Sequence, residues 1–219
     1  MGLFDEHALS ESGYHIIEPV WEKIMNDTSD GERTRMKTRF LKGYKNRPSV
    51  RVSNKMRTQS DPIIDTLIQA RLEALKSEEV LLIRLGHRLS MAAENIIGLI
   101  LEEYIHCNVV QYGWTCCWGS AIPSVDFCSS EGTLLQIKNK SNTENSSSNK
   151  IRVGTPIKIW FRLDAYTGQT RWEGLNDIIG KPALMSEEGF HTFASDLIGR
   201  NPSALYVEEE LLKLLERSE

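Results

Sequence analysis

Apolar positions recur with helical spacing through Ile16, Ile17, Val20, Trp21, Ile24 and Met25, which predicts a helix over 7–26 whose stripe packs on the main body. Residues 27–31 read as a linker. Gly43 and Pro48 punctuate the next stretch, so a short helix over 32–44 should give way to an extended loop. Ser60-Asp61-Pro62 is a helix start, with a capping hydroxyl and a proline in the first turn, and Ile63, Ile64, Leu67, Ile68, Leu72 and Leu75 form the stripe behind it. Ser77-Glu78-Glu79 opens a further helix, expected to be interrupted near Gly86 and to run to about Ile105, with 90–105 packed on a sheet. The pattern then changes to short β-branched and aromatic runs, predicting strands over 108–118, 124–128, 134–140 and 157–163. Helical spacing returns over 186–198 and 207–217, where Leu211, Leu212, Leu214 and Leu215 make a stripe. The expected class is α/β (α+β), a mixed central sheet flanked by helices, divided into a mainly helical part, 1–85, and a core, 86–219.

Composition changes this picture little, and charge changes it more. A chain of 219 residues can bury a core without disulfides, and Cys107, Cys116, Cys117 and Cys128 include no C-x-x-C, which suits reduced structural thiols better than zinc. No signal segment is legible, and the apolar run Ile96–Ile105 is broken by Gly98, Glu102 and Glu103 and is too short for a bilayer, so a soluble cytoplasmic protein is expected. The net charge of −4 conceals an asymmetry. Between Arg33 and Arg57 lie ten Lys or Arg and no Asp or Glu, and a second basic set, Lys138, Lys140, Lys150, Arg152, Lys158, Arg162 and Arg171, follows later. Phosphate neutralisation needs local charge and not a basic total, so two basic segments on an acidic chain fit a DNA-binding cleft.

The chemistry concentrates in Ser124-Val125-Asp126-Phe127, a turn through Ser129-Ser130-Glu131-Gly132, and Leu134-Leu135-Gln136-Ile137-Lys138-Asn139-Lys140. This reads as a hairpin with Gln136 roughly opposite Asp126. Strand alternation sends Gln136 and Lys138 to one side and Leu135 and Ile137 to the other, into a core. A carboxylate, an amide oxygen and an ammonium on one patch suit phosphodiester hydrolysis, where a hard cation takes oxygen ligands beside an activated water. An ordinary solvated hairpin would show the same residue types, and the isolated histidines His7, His15, His87, His106 and His191 offer no rival zinc or HNH signature.

The pattern resembles the PD-(D/E)XK nuclease core, with Asp126 as its Asp and Gln136-Ile137-Lys138 as its (D/E)XK. Gln136 replaces the usual carboxylate, and Pro123 stands three residues before Asp126 instead of one. The run Gln136 to Arg162 is similar to SinI-type type II restriction endonucleases, which cut GGWCC sites. The resemblance implies Mg²⁺ held by Asp126, Gln136 and the Ile137 backbone carbonyl, with Glu94 as an added acid on the preceding helix and Lys138 on the attacking water. For DNA contacts, Arg47 and Arg51 are expected on phosphates, Asn142, Asn145, Lys150, Arg152 and Arg171 on base edges, since Arg pairs with guanine and Asn with adenine in the major groove, and Lys140 and Arg162 beside them. Trp114, Trp118 and Trp160 are expected in the core and Trp172 near DNA. The implied function is Mg²⁺-dependent cleavage of double-stranded DNA at a short palindromic site by a homodimer, with a cognate DNA methyltransferase as genetic partner. A repair or junction nuclease of the same core, or an inactive DNA-binding relative, are the alternatives.

Overall fold

The computed structural model describes residues 6–25, 29–54, 60–141 and 156–216. Helices α1 (Glu6–Glu11), α2 (Tyr14–Met25), α3 (Asp30–Tyr44), α4 (Ile63–Arg71) and α5 (Ser77–Val109) precede the strands β1 (Trp114–Cys116), β2 (Phe127–Ser129), β3 (Leu134–Lys140) and β4 (Ile157–Leu163). Helices α6 (Trp172–Ile179), α7 (Glu187–Arg200) and α8 (Glu209–Glu216) follow. The sheet order is β1-β2-β3-β4, antiparallel from β1 to β3 and parallel between β3 and β4. Helices and a mixed sheet make this the α+β class that the sequence pattern implies.

Contacts divide the chain into two units, Met1–Arg47 with Gly98–Asp196, and Pro48–Ile97 with Leu197–Glu219. The first holds the sheet, and its core gathers Ile17, Phe40, Leu101, Ile105, Val109, Phe127, Leu135 and Leu175, all essentially excluded from water. Burial on this scale is the main stabilising term, at roughly 25 cal/mol per Å² of apolar surface. Tyr104 meets Trp172, Phe190 and Phe193 at ring separations of 5.5–5.6 Å, and Trp160 meets Trp172 at 5.2 Å. In the second unit Asn201 Nδ2 donates to the carbonyls of Pro48 and Arg51, both at 2.9 Å, and Arg88 forms a 2.7 Å ion pair with Glu208.

Several elements depart from the pattern-based expectation for identifiable reasons. Gly13, at φ +74, splits the helix expected over 7–26 into α1 and α2, and Ile24 and Met25 are exposed. Gly86 does not interrupt α5, because an added Cβ there would meet nothing within 4 Å and the helix passes it on an open face. The strand expected over 108–118 shrinks to β1, since α5 continues to Val109, a 3-10 turn follows at Val110–Tyr112, and Gly113 at φ +77 redirects the chain. Ile63, Ile64, Leu67 and Leu72, the stripe expected to bury α4, are exposed. Helix α6 was not legible as a separate element; Gly180 at φ +74 ends it, its N–H donating to the Asp177 carbonyl at 3.1 Å.

Candidate active site

The hairpin between β2 and β3 closes as the turn chemistry demands. Gly132, at φ +90, donates to the Ser129 carbonyl at 2.9 Å, and Thr133 N–H donates to Ser129 Oγ at 3.0 Å. Phe127 pairs with Leu135 and Cys128 with Leu134, so the register continued by one residue sets Asp126 opposite Gln136. Leu135 and Ile137 are buried at 0% and 8% exposure, which leaves Gln136 and Lys138 on the other face, as alternation requires. Asp126 is fixed through backbone and side chain. Its N–H donates to Leu135 O at 3.0 Å, its carbonyl accepts from Cys117 N–H at 2.7 Å, and its Oδ2 accepts from Ile137 N–H at 2.8 Å.

Two features on this face are chemically unusual. Gln136 Oε1 is buried with no hydrogen-bond partner, and a buried acceptor left unmet costs about 1–3 kcal/mol. Glu102, on α5, has its carboxyl pushed up to about 8, chiefly by burial and then by the neighbouring Asp126 charge. An acid that stays protonated near neutrality beside a fixed aspartate is a pair poised to receive positive charge. No group of three His, Cys, Asp or Glu side chains placed to hold a metal occurs among the described residues. The oxygen-bearing side chains gathered here are Asp126, Gln136 and Glu102, and oxygen donors are what a hard divalent cation takes. Glu94, expected to supply the helix-borne acid, is exposed on α5, eight residues before Glu102. Glu102 carries its own signal in the sequence, because with Glu103 it interrupts the otherwise apolar run Ile96–Ile105.

The residues expected to contact DNA separate into distinct environments. Arg162 lies on the opposite face of the sheet, since Ile137 pairs with Trp160 in β4 and Arg162 is two residues further along. Its Nε donates to Asn139 Oδ1 at 2.8 Å, its guanidinium pairs with Glu187 and sits 5.0 Å from the Phe190 ring centroid, and only 6% of the residue is exposed. Arg162, expected to contact DNA, is thus held in a buried pair. Trp172, expected near DNA, is likewise a core residue, buried and donating from Nε1 to Glu187 Oε2 at 2.8 Å. Trp114, Trp118 and Trp160 are buried as expected.

Arg47 is also committed inside the fold. Its Nε lies 3.1 Å from Glu103 Oε1, its guanidinium stacks 4.1 Å from the Tyr44 ring centroid, and Nη1 donates to the Tyr44 carbonyl at 3.0 Å. Arg51 is half-buried, with its carbonyl accepting from Asn201 and its Nε unmet. Lys140 is exposed at the end of β3, and the exposed Arg171 forms a 2.7 Å ion pair with Asp164. Asn142, Asn145, Lys150 and Arg152 lie outside the described residues.

A four-stranded mixed sheet flanked by helices, with Asp126 just before β2 and Gln136 and Lys138 on β3, is consistent with a restriction-endonuclease-like core. The chain belongs to the SinI restriction endonuclease family, whose model matches residues 24–199. It is 38% identical over 146 residues to the type II restriction enzyme SinI of Salmonella infantis, a match covering 64% of this chain and 63% of that enzyme. The type II restriction enzyme Eco47I of Escherichia coli matches at the same identity and coverage, so the chain spans about 63% of the length of these curated relatives.

Proposed function

We propose that the chain is a Mg²⁺-dependent type II restriction endonuclease that hydrolyses phosphodiester bonds in double-stranded DNA at a short palindromic site of the GGWCC kind. The observation that carries this reading is the placement of Asp126 opposite Gln136, with Lys138 on the same face and Glu102 sharing the Asp126 field. Asp126, Gln136, Glu102 and the Ile137 carbonyl would hold the cation, with Glu102 taking the place of Glu94. The cation, when bound, offsets charge on the scissile phosphate and lowers the pKa of a bound water. Lys138 would orient the attacking water and stabilise the negative charge that grows on the phosphate oxygens, a task for a compact ammonium. The buried oxygen of Gln136, with no protein partner, supports a ligand role over a solvated one, because a solvated amide oxygen would lie open at the surface.

Burial that holds Glu102 protonated also gives the site few fixed negative charges before DNA arrives. The scissile phosphate would then bring part of the cation's ligand field with it. A homodimer matches a two-fold site, each subunit cutting one strand. A cytoplasmic location and a cognate methyltransferase belong to the same reading; no helix among the described residues is long and apolar enough to cross a membrane. The testing experiment is digestion of plasmids with and without GGWCC sites in Mg²⁺, with Asp126→Ala in parallel and gel shift in Ca²⁺. Site-dependent cleavage lost in Asp126→Ala with binding retained is expected. Specific binding by the wild type without cleavage would instead favour an inactive DNA-binding relative.

A further inference from the structure

The long basic run is sorted by the fold into committed and uncommitted side chains. Arg33 pairs with Glu22 at 2.7 Å, Lys37 sits 5.1 Å from the Tyr14 ring centroid, and Arg47 is held by Glu103 and Tyr44. Arg35, Arg39 and Lys42 are exposed and have no side-chain hydrogen bond or ion pair among the described residues. Their i, i+4, i+7 spacing places all three on one face of α3. That span is about 10 Å at ~1.5 Å per residue, the axial length of about three phosphates of one DNA strand at ~3.4 Å each.

The same helix is anchored to the loop that delivers Asp126. Gly43 of α3 backs onto Gly119 so closely that a Cβ on Gly43 would fall 2.2 Å from Gly119 N, and a Cβ on Gly119, which sits at φ +66, would fall 2.4 Å from Arg39 O. Only glycine on both sides permits this approach. The loop is closed at its base by the bond from Cys117 N–H to the Asp126 carbonyl, and by Ala121 N–H to Cys117 O at 3.3 Å. Arg35 and Arg39 line a groove with Ala121 and Pro123 of this loop, beside Trp21, Met25 and the acidic Glu32.

We infer that the Arg35–Arg39–Lys42 face of α3 is the phosphate-gripping surface for duplex DNA, held in fixed register with Asp126 by the Gly43–Gly119 contact. This rests on the DNA-cleaving reading of the Asp126 site, and it moves the phosphate contacts of the basic run away from Arg47. Contacts of this kind fix where the duplex lies and carry no base information. Three uncommitted cations on one helix face, with Arg47 and Arg33 diverted into ion pairs, are what a sequence-independent backbone contact requires.

The experiment measures the salt dependence of binding for Arg35→Gln/Arg39→Gln/Lys42→Gln on cognate and scrambled duplexes in Ca²⁺, with Lys213→Gln as an exposed control. Each lost phosphate contact lowers the slope of log K against log salt by about 0.9, so the triple variant should lose about 2.7 on both duplexes and the control nothing. The cognate-to-scrambled affinity ratio should stay within threefold of wild type. Because the Arg39 stem abuts Gly119, Arg35→Gln/Lys42→Gln is the second variant, expected to lose about 1.8 in slope even if the triple variant misfolds. A wild-type slope in that folded double variant overturns the inference, as does loss of binding to the cognate duplex alone, which would mark these residues as base readers. Plasmid cleavage by the wild type separates the two readings. A wild type that binds with a steep slope but never cuts sinks the endonuclease assignment and leaves this surface standing.

Discussion

The two faces of the central sheet both carry buried polar side chains, and they are built to opposite rules. On the face away from Asp126, the groups around Arg162 are met: Arg162 is shared by Asn139 and Glu187, and Glu187 also takes the Trp172 indole N–H and pairs with His191 at 3.1 Å. Burial alone would raise the Glu187 carboxyl, yet the bonds from Trp172 and Arg162 outweigh it and hold the group below its ordinary range. On the Asp126 face, Gln136 Oε1 is unmet and Glu102 is pushed up to about 8. A satisfied buried network fixes a structure, whereas an unsatisfied one is destabilising until something binds to it. The same contrast divides the first basic run, where Arg47, just past α3, is consumed by Glu103 while Arg35 and Arg39 on α3 are left open.

The largest test of this contrast is kinetic. Lys138→Ala should lower single-turnover cleavage by about 10³-fold or more, since in the proposed mechanism its ammonium would act on charge that appears in the transition state, while DNA affinity changes far less. Quench-flow digestion of a saturating duplex reads this directly. An unchanged rate would move Lys138 into the structural category occupied by Arg162.

The mirror experiment is Arg162→Met on the satisfied face. It strands Glu187 and Asn139 together, and breaking a largely buried pair of this kind costs about 3 kcal/mol, discounted for the 28% exposure of the Glu187 side chain. Urea denaturation measures the loss. A variant as stable as wild type would show that the pair adds nothing beyond what Met and the neighbouring rings supply.

Much of this was legible in the sequence, for physical reasons that differ between elements. β3 and β4 fall where predicted because alternation over seven residues has one reading when one face is buried. The Asp126–Gln136 opposition followed from turn length alone. What the sequence hid was the choice among like residues. Glu94 and Glu102 lie on one helix, and the Asp126 neighbourhood that singles out Glu102 is created by tertiary packing. Likewise Arg47 and Arg39 look alike in a basic run until Glu103 comes within 3.1 Å of one of them. The partners of Arg162 were hidden too, because its position in a basic strand says nothing about which carboxylate the following helices bring to it.

His106 offers a test by pH of a buried, satisfied group. Burial holds its pKa down to about 4, with the Arg47 charge acting in the same direction and the bond to Glu11 opposing it. In the neutral ring, Nε2–H donates to the Glu11 carbonyl at 3.1 Å and Nδ1 accepts from Cys116 N–H at 3.4 Å, so protonation would turn that acceptor against a donor. Between about 6.5 and 4 the unfolded chain binds the proton and the folded chain does not, so this contribution is full above 6.5 and lost as pH falls, by about 3 kcal/mol in all. Glu102 runs the other way, adding stability that disappears as pH rises from 4.5 through 8, so the two oppose between 4.5 and 6.5. The difference in unfolding free energy between wild type and His106→Gln isolates the histidine, and should change by about 1.4 kcal/mol per pH unit near pH 5. A difference that stays flat with pH would mean that the folded protein takes up the proton without penalty.

The smallest effect is the one that most directly opposes the two faces. Gln136→Leu replaces a half-buried amide, whose buried oxygen has no protein partner, by an apolar side chain of similar size opposite Ile159 of β4. Removing an unmet acceptor avoids its desolvation cost, so the metal-free variant should be more stable than wild type by about 1 kcal/mol, in contrast to the loss expected for Arg162→Met. The gain should vanish or reverse when both proteins are unfolded in millimolar Mg²⁺ with cognate duplex present, because only wild type then recovers a ligand for its oxygen. If Gln136→Leu is instead destabilised without metal or DNA, the amide is satisfied in solution, and Asp126 and Glu102 remain as the side-chain donors that distinguish the site face from the structural one.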